Sequence, residues 1–154
     1  MKKTLIILAA LFLLVGCGSA VSEEQYLEDG TAYAISLAEF GKSITETVSL
    51  YAKNAGTANE SVAKAVIMKD VAEWNEDLNS KMSEFKKIKA PKEHNDLQTN
   101  LVKSGEQLLI SSESFLDYLE SNTKTNADNS TSAMEKGAGY LKEAQKLLKE
   151  LRTK

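Results

Sequence analysis

One cysteine and one histidine bound the chemistry this chain can do. A lone thiol can form no disulfide within the chain and no cysteine metal site, which leaves Cys17 as a nucleophile that accepts a group. His94 has Glu93 beside it and not three residues ahead of it, so the paired Glu-x-x-His motifs that hold two metals in a helical bundle are excluded on ligand count. No nucleophilic-serine motif accompanies this single histidine, and a hydrolase triad has no support. Placed just after Pro91 and before Leu97, His94 reads as an edge residue of a helix. Glu73, Glu76 and Asp77 lie on the polar side of an amphipathic stretch and read as a solvated face. Tyr26, Tyr33, Phe40 and Tyr51 fit an apolar stripe, and the methionines are scattered as core filler. The expectation is a chain without catalytic residues, without a metal and without a cofactor.

The surroundings of Cys17 are more informative than its solitude. Lys2 and Lys3 precede an apolar run over residues 5–15, and Leu14-Val15-Gly16 stands immediately before the cysteine. A charged start, an apolar centre and small residues at a cut are the order of a secretory signal. The run is too short for a membrane span, which needs about 20 apolar residues. Leu14-Val15-Gly16-Cys17 resembles the lipobox of bacterial lipoproteins. The resemblance implies that the Cys17 thiol receives a diacylglycerol, that signal peptidase cuts between Gly16 and Cys17, and that Cys17 becomes the mature N-terminus. Leu14, Val15 and Gly16 would then be the recognition residues.

Gly41-Lys42-Ser43 looks like the tail of a phosphate-binding loop. The glycine such a loop requires five residues earlier is Ser36, and the triplet falls inside a helical pattern, so that reading is set aside.

Removal of residues 1–16 leaves 138 residues, enough for one domain with its own core, and takes the formal charge from −3 to −5. Nucleic acid is not an expected partner. The charge is uneven: residues 17–80 carry 4 basic and 11 acidic side chains, residues 81–154 carry 13 and 11.

Four helices account for the rest. Ser22 with Gln25 forms a capping box, Val21 with Tyr26 a hydrophobic staple, and Tyr26, Gly30, Tyr33, Leu37, Phe40, Ile44, Val48 and Tyr51 recur at steps of three and four. Asn54-Ala55-Gly56 stops this helix. Thr57 with Glu60 announces a second, with Ile67, Val71, Trp74, Leu78, Met82, Phe85 and Ile88 as its stripe. A third is expected from Pro91, through Leu97, Leu101, Leu108, Phe115 and Leu119, with small residues at Ser104, Gly105, Ser111 and Ser112. Residues 122–128 read as a polar loop. The last helix carries Met134, Gly137, Leu141, Ala144, Leu148 and Leu151. The expected architecture is all-α: an up-down-up-down four-helix bundle over residues 22–154, after a cleaved signal peptide (1–16) and a lipidated tether (17–21). Core positions expected are Leu37, Ile44, Trp74, Leu78, Leu101, Phe115, Leu141 and Leu148.

Geometry then assigns an orientation. Only four residues separate Cys17 from Ser22, a reach of about 15 Å even when fully extended. The start of the first helix, the turn at residues 89–91 and the C-terminus would share the membrane-proximal end. That end collects Lys86, Lys87, Lys89, Lys92, Lys146, Lys149, Arg152 and Lys154, of which Lys86, Lys87, Lys89, Lys92, Lys149 and Arg152 are the candidate membrane contacts. Cations in a last helical turn also complement the helix dipole. Residues 54–59 and 122–129 would face outward.

The expected partners are the lipid bilayer, through diacylglyceryl-cysteine, and a protein of the envelope. The expected place is the extracytoplasmic side of the cell membrane. The mature part is similar to small helical lipoproteins of Gram-positive bacteria and their phages, some of which act in superinfection exclusion or immunity. A second expectation is a structural protein tied to peptidoglycan through the terminal Arg152-Thr153-Lys154, a tail ending in lysine as in the major outer-membrane lipoprotein.

Overall fold

The computed structural model describes residues 21–153 as four helices, α1 (Glu23–Asn54), α2 (Glu60–Lys87), α3 (Asn95–Ser121) and α4 (Lys124–Leu151), with a 3-10 turn at Lys92–His94. Short connections make successive helices antiparallel, and the result is the expected up-down-up-down bundle. The lipobox residues Leu14, Val15, Gly16 and Cys17, and Lys154, lie outside the described residues.

Helix α1 starts where Ser22 accepts a hydrogen bond from the Gln25 backbone N–H at 3.2 Å. The other half of the expected capping box is not formed, because the Gln25 amide donates to Asp29 Oδ1 at 2.9 Å. Val21 packs against the core. At the far end Gly56 takes φ +75°, a left-handed conformation that costs glycine nothing.

Between α1 and α2 the expected Thr57 cap is displaced. The Thr57 hydroxyl is used within the turn, donating to the Asn54 carbonyl at 2.7 Å and accepting from the Asn59 N–H at 3.2 Å. Glu60 instead accepts from the Gly56 N–H at 2.6 Å and from the Tyr51 hydroxyl at 3.2 Å, tying the tip together. Helix α2 therefore begins at Glu60, with Asn59 as an N-cap that makes no side-chain bond.

The third helix does not start at Pro91. Pro91 is extended (φ −55°, ψ 147°), the His94 N–H bonds back to its carbonyl at 2.9 Å, and α-helix begins at Asn95. This tight turn swings His94 into the core at 1% exposure, which corrects its reading as an edge residue. The polar loop expected over residues 122–128 is only Asn122 and Thr123. Asn122 sits at φ 52°, its N–H bonding to the Tyr118 carbonyl at 2.7 Å, so one left-handed residue ends α3. Lys124, at the first position of α4, pairs with Asp128 one turn on at 2.6 Å.

Leu37, Ile44, Leu78, Leu101, Phe115 and Leu148 are buried as expected. Trp74 and Leu141 are half-buried at the edge of the core. Val48 is 40% exposed, because the inward step after Ile44 falls on Thr47 and only then on Tyr51. The α3–α4 pair has the most extensive contact, and α2 and α4 lie apart across the bundle. Small residues explain the close seam: Ser104 donates to the Gly137 carbonyl at 2.9 Å and Ser111 to the Ser130 carbonyl at 2.8 Å. A side chain on Gly137 would press on Leu108 and on the Ser104 carbonyl.

Candidate membrane-facing end

Three chain segments meet at one end of the bundle: the start of α1, the α2–α3 connection and the finish of α4. Two contacts hold them together. The His94 ring donates from Nε2 to Glu23 Oε1 at 3.1 Å, joining the 3-10 turn to the first turn of α1. Gly30, two turns further along α1, lets Leu97 and Leu101 of α3 and Leu148 of α4 come up against its backbone.

Above this end lies an aromatic group. Tyr26 faces Phe85 at 6.2 Å and His94 at 5.7 Å, and Tyr33 stacks on Phe85 at 4.7 Å between ring centres. Burial pushes ionisation of both tyrosines well above the ordinary phenol range, helped at Tyr33 by the negative charge of Glu106. The two hydroxyls and His94 Nδ1 are buried with no hydrogen-bond partner. Tyr51, at the opposite end, is also raised, first by desolvation and then by its hydrogen bond to Glu60 and that group's charge.

The candidate contacts divide. Lys87, Lys89, Lys92, Lys149 and Arg152 are exposed, and none forms an ion pair among the described residues. Lys86 is engaged elsewhere, 2.8 Å from Glu106 of α3. The same end also presents Glu23, Glu24, Glu93, Asp96 and Glu150, so its charge is mixed. The arrangement follows the helix dipoles: Glu23 and Glu24 in the first turn of α1 and Asp96 in that of α3, Lys86 and Lys87 in the last turn of α2 and Lys149 in that of α4. Each such placement is worth roughly 0.3–1 kcal/mol.

Among the described residues no three His, Cys, Asp or Glu side chains are grouped to hold a metal ion, and no helix is long and apolar enough to cross a membrane. The interior serines serve packing: Ser112 donates to Asn75 Oδ1 at 2.6 Å and also reaches the Leu109 carbonyl. Glu73, Glu76 and Asp77 lie outside the buried stripe, with Glu73 and Asp77 in one-turn pairs to Lys69 and Lys81.

Sequence reasoning missed a groove between α1 and α4, with Ala34 and Leu148 as its buried floor and Ile35 and Ala38 on its α1 wall. Its one sequence signal is the small-residue series Thr31, Ala34, Ala38 running beside the core stripe. Comparison with known protein families, with curated proteins and with solved structures finds no match.

Proposed function

We propose that this chain is a lipid-anchored module of the cell envelope, held on the extracytoplasmic side of the membrane, which binds or shields another envelope component and performs no catalysis. The observation that carries the reading is Cys17. It is the chain's one thiol, it follows Leu14-Val15-Gly16 at the end of an apolar run, and it stands five residues before the cap of α1. Diacylation supplies two chains at one residue, which meets the two-signal requirement for stable anchoring.

Lys87, Lys89 and Lys92 are the favoured secondary contact with anionic lipid, since they are exposed around one connection and form no ion pair among the described residues. Neighbouring acids keep that contribution small. The bundle supplies a rigid spacer: helices near 30 residues rise about 40 Å, setting the Gly56 and Asn122 tips well above the bilayer. The non-catalytic part is supported by Ser104, Ser111 and Ser112, whose buried hydroxyls are occupied in helix packing.

The test is crosslinking in intact cells followed by capture of the lipidated protein, with Cys17→Ala as the comparison. The reading expects one envelope protein to be enriched with the anchored form and lost with Cys17→Ala. Equal capture by both forms contradicts it.

A further inference from the structure

We propose that the connection between α2 and α3 is a strap that lifts off the end of the bundle while the four helices stay packed, carrying His94 out of the interior. Burial along the chain sets its limits. Phe85 of α2 and Leu97 of α3 are 2% and 1% exposed, and between them His94 is the one buried residue. Ile88 and Ala90 touch the core from its edge. The backbone is extended at Ile88 (φ −70°, ψ 122°) and at Pro91, and His94 (φ −112°, ψ 9°) lies outside helical geometry, so neither α2 nor α3 has to unwind for the strap to move.

The fastenings are few. Among the described residues two side-chain hydrogen bonds hold the strap down: His94 Nε2 donates to Glu23 Oε1 at 3.1 Å, and the Gln98 amide donates to the Ile88 carbonyl at 2.9 Å. The bond from the His94 N–H to the Pro91 carbonyl is internal and travels with the strap. The Glu23 side chain is 60% exposed, so its carboxylate exchanges His94 for water at little cost. His94 Nδ1, buried with no partner, gains one from water once the ring is out. Opposing release are the packing of His94 on Tyr26, with ring centres 5.7 Å apart, and the edge contacts of Ile88 and Ala90. Helix α3 stays behind, fastened to α4 through Ser104 and Ser111. Local opening of this kind draws on the least stable part of a fold and leaves the rest intact. The open form sets a free imidazole and one uncovered face of Tyr26 beside the exposed Lys87, Lys89 and Lys92, and it requires no lipid at Cys17.

His94 is the chain's one histidine, so modification of imidazole reports the strap alone. Full-length protein in mild detergent is treated with diethyl pyrocarbonate at one fixed pH, over a series of urea concentrations below the unfolding transition. The rate of His94 carbethoxylation should not depend on urea, because lifting the strap exposes little surface. Glu23→Ala should raise that rate about tenfold over Glu24→Ala, which also removes an acid from the first turn of α1 but leaves the His94 bond in place, and the two variants should melt at the same temperature. A rate that climbs with urea in step with the loss of helical circular dichroism means that only global unfolding releases His94, and it overturns the proposal. Equal rates in the two variants, or no modification below the transition, overturn it as well.

Discussion

The Tyr33 hydroxyl meets no donor or acceptor, yet it lies so close to Gly105 that a methyl group there would collide with it. A buried, unsatisfied hydroxyl costs about 1–3 kcal/mol, so Tyr33→Phe should leave the bundle as stable as before or more so. Gly105→Ala should destabilise by about 1–3 kcal/mol through overpacking, and Tyr33→Phe in the same chain should recover most of that loss in a urea denaturation cycle. If Tyr33→Phe does not relieve Gly105→Ala, the close approach is misread. The raised ionisation of Tyr26 and Tyr33 predicts a loss of stability at alkaline pH. An unfolded phenol ionises near its ordinary value of 10.0, while the folded one holds its proton to higher pH. Stability from these neutral phenols is therefore complete below the unfolded value and is lost as pH rises through and above it. Phenolate absorbance from this pair should appear only as helical circular dichroism is lost, and Tyr26→Phe with Tyr33→Phe should move the alkaline midpoint upward. An unchanged midpoint contradicts this. His94 shows what sequence could not convey: its burial depends on Glu23, 71 residues away, and on a 3-10 turn that apolar spacing does not report.

Helix identity is legible because each stripe repeats at the helical period, and Ser22 caps α1 as expected, while the bonding at helix ends departs from the expected motif where one side chain has two partners to choose from. Thr57 caps the turn and not the helix, Gln25 prefers Asp29 to the Ser22 backbone, and Lys124 with Asp128 extends α4 into a stretch whose composition reads as loop. The whole α3–α4 connection hangs on Asn122 in the left-handed conformation. Asn122→Gly should preserve or slightly raise stability, because glycine reaches that conformation without a Cβ clash, whereas Asn122→Val should cost about 1–2 kcal/mol. Thermal melts of the two variants check this, and equal melting temperatures would show that the turn tolerates another geometry. The small residues of α3 were visible in sequence, but their use was not. Only the structure shows Ser104 and Ser111 bonding to α4 carbonyls across the seam.

At the scale of the whole molecule, the described residues form one four-helix bundle, and the proposed anchor at Cys17 precedes its first helix in sequence. The proposed anchor is readable at Cys17 because the lipobox that Leu14-Val15-Gly16-Cys17 resembles is a local pattern; the groove on α1 and α4 is not, since its walls lie more than 100 residues apart in sequence and join only on folding. If Cys17 is anchored as proposed, its short tether sets the orientation of the bundle. On vesicles carrying the lipidated protein, added protease should cut the exposed α1–α2 and α3–α4 tips before the connection at residues 88–92. Preferential protection of the Asn122 tip would reverse the assignment of ends. Anchoring itself is tested most directly by growing cells with a fatty-acid analogue and comparing the natural chain with Cys17→Ser. Incorporation of label into the natural chain, with none in the Cys17→Ser precursor, is the predicted result; label that persists without Cys17, or never enters the natural chain, contradicts a lipid anchor at that residue.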